Sequence, residues 1–328
     1  MLKKSIYIIL ISIVVIIGLW FSFKGVEWSQ IFKSLKDVKI WFVVLQAFSM
    51  LIAHLIRAER WRLMISESNQ IKSTFTFTYT IIGYAMSNLI PRSGEAIRPL
   101  LLSKKINRPF TQIAATVIVE RLLDGIVLLV LITFLIYSAK DKLSVLFYGK
   151  NEIELLLIIL IPLIVVLFFI WLIIKTKIGD LIVGKIYLIN IKIGEFGKRI
   201  LHDIRLGFKF DNGTKYVKII FYSIIMWIFY GLVFYFGFYA FDFKNMYFSD
   251  MFVMLGATLI AVTIAPTPGG AGLFHYACIS VLTKLYNIDN NIAVAFTLIT
   301  HFIPYIFITV VGLILMIKEG VKFKFNSE

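Results

Sequence analysis

Leu89-Ile90-Pro91-Arg92-Ser93-Gly94-Glu95-Ala96 interrupts an apolar stretch that covers about residues 75–102. Proline removes a backbone donor and glycine permits a sharp turn, so a straight helix is not expected to run through this sequence. A second octapeptide, Ala265-Pro266-Thr267-Pro268-Gly269-Gly270-Ala271-Gly272, divides another apolar stretch at about 249–284. Each interruption predicts a re-entrant hairpin, which enters the hydrocarbon and returns to its own side.

The rest of the composition is that of an all-α polytopic membrane protein. Hydrophobic residues make up 59% of 328 residues, charged residues 16%, and the mean hydropathy is +0.88. Soluble domains carry about 25% charged residues, so a water-soluble fold is excluded. Six runs approach the roughly 20 apolar residues of a spanning helix. They are 6–23, 40–56, 111–137, 154–174, 217–241 and 292–317. No small-x-small cleavage site follows the first run, which we interpret as an uncleaved helix.

Lysine and arginine placement predicts the orientation in the bilayer. With both broken stretches treated as hairpins, 22 of the 34 basic residues fall on one side, nine on the other and three within apolar stretches. Basic loops favour the cytoplasmic side, so the sequence predicts a multi-pass protein of the cytoplasmic membrane with both termini inside. A single straight crossing by one broken stretch would place later basic loops outside.

The same topology predicts one transmembrane domain, 1–328, built from two halves of about 1–150 and 151–328. Each half has a helix, an amphipathic segment, a second helix, a hairpin and a third helix. Because each half crosses three times, the second is inverted relative to the first. Interrupted segments at corresponding positions of two halves indicate a transporter binding site near the bilayer midplane.

Charged residues inside apolar segments are candidate site residues, since each costs about 2.5–3.5 kcal/mol at a helix centre on insertion scales. The candidates of the first half are Arg57, Asn88, Arg92, Glu95, Arg98, Glu120, Arg121 and Asp124. In one interpretation the arginines surround an anionic group such as a lipid phosphate, which guanidinium grips bidentately. In the other, arginines and carboxylates neutralise one another and tie the first hairpin to the neighbouring helix.

The second hairpin contributes backbone rather than charge. Its candidates for substrate contact are Pro268, Gly269, Gly270 and Gly272, followed by His275. Cys278 is the sole cysteine, and the sequence has no P-loop, GxSxG, HExxH, CxxC or GxGxxG signature. We therefore expect no metal, no cofactor and no catalytic residue. The net charge of +15 is attributed to cytoplasmic loops against anionic lipid rather than to nucleic-acid binding.

Three of these motifs resemble the transmembrane family of lysylphosphatidylglycerol synthases, also called flippase-like. They are residues 88–101 around Pro91, Glu120-Arg-Leu-Leu-Asp124 and Pro266-Thr-Pro-Gly-Gly-Ala-Gly272. The resemblance covers nearly the whole chain and implies movement of aminoacylated phospholipid across the bilayer. The soluble domain that transfers lysine in the full-length synthases has no counterpart in this sequence. His275 stands where the family usually has Glu, so a role of that Glu is not carried over.

The leading functional hypothesis is a flippase or transporter of an anionic or aminoacylated lipid, either a phospholipid or a polyprenyl-phosphate-linked lipid. The alternatives are a phosphatidylglycerol lysyltransferase and an accessory subunit of a membrane glycosyltransferase. Expected partners are a membrane lipid with an anionic head group and either a second copy of the chain or a lipid-modifying enzyme.

Overall fold

The computed structural model describes residues 13, 15–65, 70–138, 152–207, 213–264 and 267–321. Every regular element in these ranges is helical, which confirms the predicted all-α fold. Parts of the predicted first span, and Ala265 and Pro266 of the second interruption, lie outside the described residues.

The helices of the first half are α1 (15–23), α2 (Trp28–Lys36), α3 (Ile40–Met64), α4 (Ser73–Leu89), α5 (Ser93–Lys105) and α6 (Phe110–Ser138). Those of the second half are α7 (Glu152–Lys175), α8 (Lys177–Ile189), α9 (Ile191–Gly207), α10 (Gly213–Ala240), α11 (Asp250–Ile264), α12 (Leu273–Leu285) and α13 (Asn290–Lys318). Among the described residues, α3, α10 and α13 are long and apolar enough to cross a membrane. The predicted spans 111–137 and 154–174 coincide with α6 and α7.

Hydrogen bonds from the buried Gln46 side chain join α3 to α10 and α13. The Gln46 side-chain amide donates to the Val233 carbonyl at 2.9 Å and to the Thr300 hydroxyl at 3.1 Å. Gly237 permits this close approach, because an added Cβ would meet the Gln46 amide nitrogen at 2.6 Å and the Phe296 ring at 2.8 Å. Small residues of this kind let helices pack closely within a bilayer.

The first broken stretch folds back on itself as the antiparallel pair α4–α5. Gly94 lies so close to Gly83 that an added Cβ would collide with the Gly83 carbonyl. At the open end of the pair, Tyr79 donates to the Glu319 carboxylate at 2.7 Å and Lys105 pairs with it at 3.2 Å. Both arms of the pair therefore lie beside the end of α13.

The second broken stretch forms the pair α11–α12, and its open end lies at the opposite end of α13. The Tyr286 hydroxyl donates to Asp250 at 2.9 Å, which joins the start of α11 to the residue after α12. Asn290 begins α13 four residues later. A helix of 29 residues is about 43 Å long. The two pairs consequently point toward each other from opposite ends of the molecule.

One predicted boundary is wrong. The second span was expected to cover about residues 40–56, but α3 continues to Met64. Arg57 and Arg60 are buried, at 3% and 0% exposure, because α6 supplies carboxylates for them. Trp61 on the same stretch donates to Thr116 at 2.8 Å. The partners on α6 stabilise two further helical turns.

Candidate functional site

A cavity of about 690 Å³ lies between the tip of the pair α4–α5, around residues 88–94, and the tip of the pair α11–α12, around residues 267–270. Two side chains one turn apart on α13 contact the two tips. Tyr305 donates its hydroxyl to the Asn88 carbonyl of the first tip at 3.0 Å, and the His301 Nε2 lies 2.8 Å from the Gly269 carbonyl of the second. The Asn88 amide also donates to Thr309 at 2.8 Å. The cavity is therefore bounded by both interruptions that the sequence singled out.

Gly269 requires glycine for two reasons. Its φ of +56° is in the left-handed region, and an added Cβ would collide with the Tyr305 ring. The backbone of the second tip thereby approaches α13 closely enough for its carbonyl to reach His301.

The basic wall of the cavity consists of Arg57, Arg98 and Arg121, which pair with two carboxylates of α6. Glu120 and Asp124 are one helical turn apart and face α3. Arg57 pairs with both carboxylates, at 2.9 Å from Asp124. Arg60 lies beneath, 2.8 Å from Asp124 and 3.4 Å from Glu120.

Arg98 and Arg121 connect the first helix pair to α6. The Arg98 Nη2 donates to Glu120 at 2.9 Å, and its guanidinium lies over the Trp61 ring at 4.8 Å. Arg121 lies 3.1 Å from Glu120 and 3.8 Å from Glu95 of α5. The mutual neutralisation considered from the sequence is thus present, and it fixes α5 against α6.

The neutralisation is incomplete. Arg57, Arg92, Arg98 and Arg121 line the cavity, against Glu95 and Asp124. Arg92 is exposed at the first tip and forms no ion pair with any described residue. The buried Arg98 Nη1 has no hydrogen-bond partner in the described part of the chain. The site retains positive charge that is available to an anion.

Most of the predicted site residues come together here. Those that line the cavity are Arg57, Asn88, Arg92, Glu95, Arg98, Arg121, Asp124, Gly269 and Gly270. Glu120 is fully buried behind the wall.

Pro268, Gly272 and His275 are not part of the cavity lining. Gly272 packs against α1, where an added Cβ would meet the Val15 carbonyl at 2.9 Å. His275 is buried beside His301, with ring centroids 4.7 Å apart, and its ring nitrogens have no partner among the described residues. Its role as a substrate contact stays a prediction without support from the geometry.

No grouping of His, Cys, Asp and Glu suited to a metal occurs in the described ranges.

Several residues of the site were missed from the sequence. Arg60 could have been found, since it follows Arg57 by three residues on a helix. The Tyr230 hydroxyl accepts from the Arg57 Nε at 2.9 Å and lies 3.1 Å from the His54 Nδ1. Tyr84 lies under the same guanidinium at 5.6 Å. Nothing distinguishes these two tyrosines in a chain with 15 of them.

Comparison with known proteins shows the family of this chain. The family model described as the lysylphosphatidylglycerol synthase TM region matches residues 7–312. No solved structure matches the chain.

Three archaeal proteins are similar over most of the chain. UPF0104 membrane protein MJ1078 of Methanocaldococcus jannaschii is 32% identical over 70% of this chain and 92% of its own length. UPF0104 membrane protein PH1989 of Pyrococcus horikoshii is 25% identical over 97% and 98%, respectively. UPF0104 membrane protein MJ1595 of Methanocaldococcus jannaschii is 27% identical over 96% and 95%.

Proposed function

The chain belongs to the family of the lysylphosphatidylglycerol synthase transmembrane region, and on this premise we propose that it moves a lipid with an anionic head group across the cytoplasmic membrane. The observation that carries the proposal is the arginine-rich cavity between the two helix-pair tips. In the proposed mechanism both pairs are re-entrant and belong to inverted halves of the chain.

The cavity is amphiphilic, as a lipid site must be. Besides the basic wall it is lined by apolar side chains of α6, α10, α11 and α12. They include Leu128, Phe234, Leu255, Leu259 and Phe274. Ligand pockets generally combine an apolar lining with a few placed polar groups that fix orientation. A phosphate against the arginines and an acyl or prenyl chain against this lining would satisfy both surfaces.

The ion pairs supply a route for binding and release. Guanidinium stays charged and forms paired hydrogen bonds to phosphate, so an entering phosphate can replace carboxylate oxygens without leaving an arginine unpaired. Arg121 and Glu95 are the accessible members, with side chains 39% and 45% exposed. Their pair, at 3.8 Å, is the loosest contact of the wall. We propose that it opens first, and that the two tips then admit the lipid from alternate leaflets.

The proposal is tested with the whole chain in liposomes that carry a tail-labelled anionic phospholipid. The wild-type chain should accelerate transbilayer movement over protein-free liposomes. The Arg92→Ala, Arg98→Ala double variant should lose most of that rate, because each charge-assisted hydrogen bond contributes about 1.5–3 kcal/mol.

A single variant and a control distinguish loss of the binding charge from loss of folding. Arg92→Gln removes a charge that has no ion-pair partner in the described chain, so it should fold normally and still slow the movement. Lys33→Ala, Lys36→Ala removes two exposed charges of α2 outside the cavity lining and should keep the wild-type rate. Equal rates for wild type and both arginine variants would refute the proposal.

A further inference from the structure

The charge of the cavity is not balanced by the protein. Four arginines and two carboxylates line it, and behind the wall Arg60 and Glu120 cancel one another. Two positive charges are left over among the described residues. Part of this excess is buried, since Arg98 is 3% exposed, and buried positive charge that is not fully compensated is costly until a counter-charge arrives.

Every carboxylate at the site is already committed to arginine. Glu120 lies within 4.0 Å of four guanidinium groups, Asp124 of three, and Glu95 of one. An ammonium group entering the cavity would have to displace one of these arginines, and it would face the same positive excess. The site is therefore poorly suited to a head group that carries an amine.

The donors that remain are suited to one phosphate with several free oxygens. Arg92 is unpaired at the mouth, and the Arg98 Nη1 is buried in the wall without a partner among the described residues. Both residues line the same cavity. A phosphate monoester presents three acceptor oxygens and about 1.5 to 2 negative charges at pH 7, whereas a phosphodiester carries one charge.

From this geometry we infer that the cavity takes a lipid whose head group ends in a phosphate monoester, in preference to a phosphodiester or an aminoacylated head group. The inference rests on the proposed function and names its substrate class. It departs from the aminoacylated phospholipid that the family resemblance implies, and the charge count is the reason.

The test uses three tail-labelled lipids with identical acyl chains: phosphatidic acid, phosphatidylglycerol and lysylphosphatidylglycerol. Binding to the detergent-solubilised chain and transbilayer rate in liposomes are measured at pH 7.5. Phosphatidic acid should exceed phosphatidylglycerol in both assays and lysylphosphatidylglycerol by at least about tenfold, the effect of one charge-assisted hydrogen bond. At pH 5 the difference in binding and in rate between phosphatidic acid and the other two lipids should be smaller, because the second proton of a phosphate monoester leaves near pH 6.

Arg92→Gln should reduce the ratio of phosphatidic acid binding to phosphatidylglycerol binding. The Lys33→Ala, Lys36→Ala control should keep the wild-type ratio. A soluble monoester, glycerol phosphate, serves as a competitor. Failure to displace bound phosphatidic acid at equal concentration supports a lipid ligand, and equal potency would overturn it.

The outcomes separate the two proposals. If lysylphosphatidylglycerol binds and moves as well as phosphatidic acid, the head-group inference is overturned while transport stands. If no lipid moves but phosphatidic acid is still bound preferentially, transport is overturned and the head-group inference is supported.

Discussion

Arg92 occupies a backbone conformation that arginine rarely adopts. Its φ is 58°, in the left-handed region at the start of α5. That conformation costs a non-glycine residue about 1–2 kcal/mol, and such strain is concentrated at functional sites. An arginine kept there, exposed in the cavity, fits a role in binding rather than in folding.

We therefore predict opposite effects of Arg92→Gly on stability and on transport. Glycine relieves the strain, so thermal stability in detergent should be unchanged or higher. The transbilayer rate should fall by about tenfold or more, since a charge-assisted contact to the head group is lost. Asn107→Gly is the matched control, because Asn107 has a φ of 52° on an exposed turn outside the cavity lining. It should leave transport unchanged, and a parallel loss of transport would contradict the role of Arg92.

Glu120 is the residue on which the arginine wall depends. It is fully buried and contacts four arginines. Glu120→Gln should destabilise the chain by about 3–5 kcal/mol, because it leaves buried Arg98 without its carboxylate partner and Arg57 and Arg60 sharing Asp124 alone. Unfolding in mixed micelles measures the change. Glu195→Gln, in an exposed pair with Arg199 at 3.8 Å, should cost about 0–1 kcal/mol. Similar losses for both variants would show that the wall is not held by Glu120.

At the residue scale, the sequence predicted the charged members of the site because charge in an apolar segment is conspicuous. It could not predict Tyr230 or Tyr305, whose hydroxyls act only once distant helices are brought together. The sequence also singled out His275, whose role as a substrate contact stays a prediction; its ring is buried beside His301 and is not part of the cavity lining.

The pair α4–α5 depends on the absence of a side chain at Gly94. An added Cβ would collide with the Gly83 carbonyl, so Gly94→Ala should force the two helices apart and displace Arg98 from Glu120. We expect a loss of thermal stability together with a loss of transport. Gly184→Ala is the control: it lies in the interior of exposed α8 with nothing near its Cβ position, and it should gain about 0.5–1 kcal/mol. If Gly94→Ala left thermal stability and transport unchanged, the tight packing of α4 against α5 would be contradicted.

Arg205 fastens the amphipathic pair α8–α9 to the end of α7. It donates to the carbonyls of Ile174 and Thr176 at 2.7 and 2.8 Å, and to both oxygens of Asp180 at 2.9 and 3.0 Å. The hydrogen bonds from Arg205 lower the pKa of the Asp180 carboxyl below its ordinary value. The contribution of this contact is therefore present above the unfolded pKa of about 3.9 and is lost as pH falls through the lowered folded value.

A spin label at Lys185→Cys in a Cys278→Ala background reports on this attachment. Its mobility should be constant from pH 8 down to about 4 and rise only at lower pH, as the pH falls through the lowered pKa of Asp180. In the Asp180→Asn variant the label should be more mobile at pH 8, and its mobility should not change with pH. In the Glu195→Gln variant the label should behave as in the wild-type chain. A rise that persists in Asp180→Asn would assign the pH dependence to another group.

At the element scale, proline and glycine positions predicted both helix breaks, because their effect on the backbone is local. The extension of α3 to Met64 was not predictable in this way. Hydropathy favours an end near residue 56, and the compensation for Arg57 and Arg60 comes from α6, far along the chain.

The whole molecule has two ends defined by contacts rather than by hydropathy. Tyr79, Lys105 and Glu319 meet at one end, and Lys39 pairs with Asp242 at 2.9 Å at the other. Basic-residue placement predicts that the first of these ends faces the cytoplasm and the second the opposite side, which stays a prediction. The site arises only at this scale, because its walls come from helices of both halves.

Sided labelling tests most directly the claim that the two helix pairs enter from opposite faces and converge on the basic cavity. Single cysteines at Lys104, Lys185 and Lys284 in a Cys278→Ala background are exposed to a membrane-impermeant thiol reagent in intact and in opened vesicles. The account predicts that positions 104 and 185 react from one side and position 284 from the other. Labelling of positions 104 and 284 from the same side would contradict it.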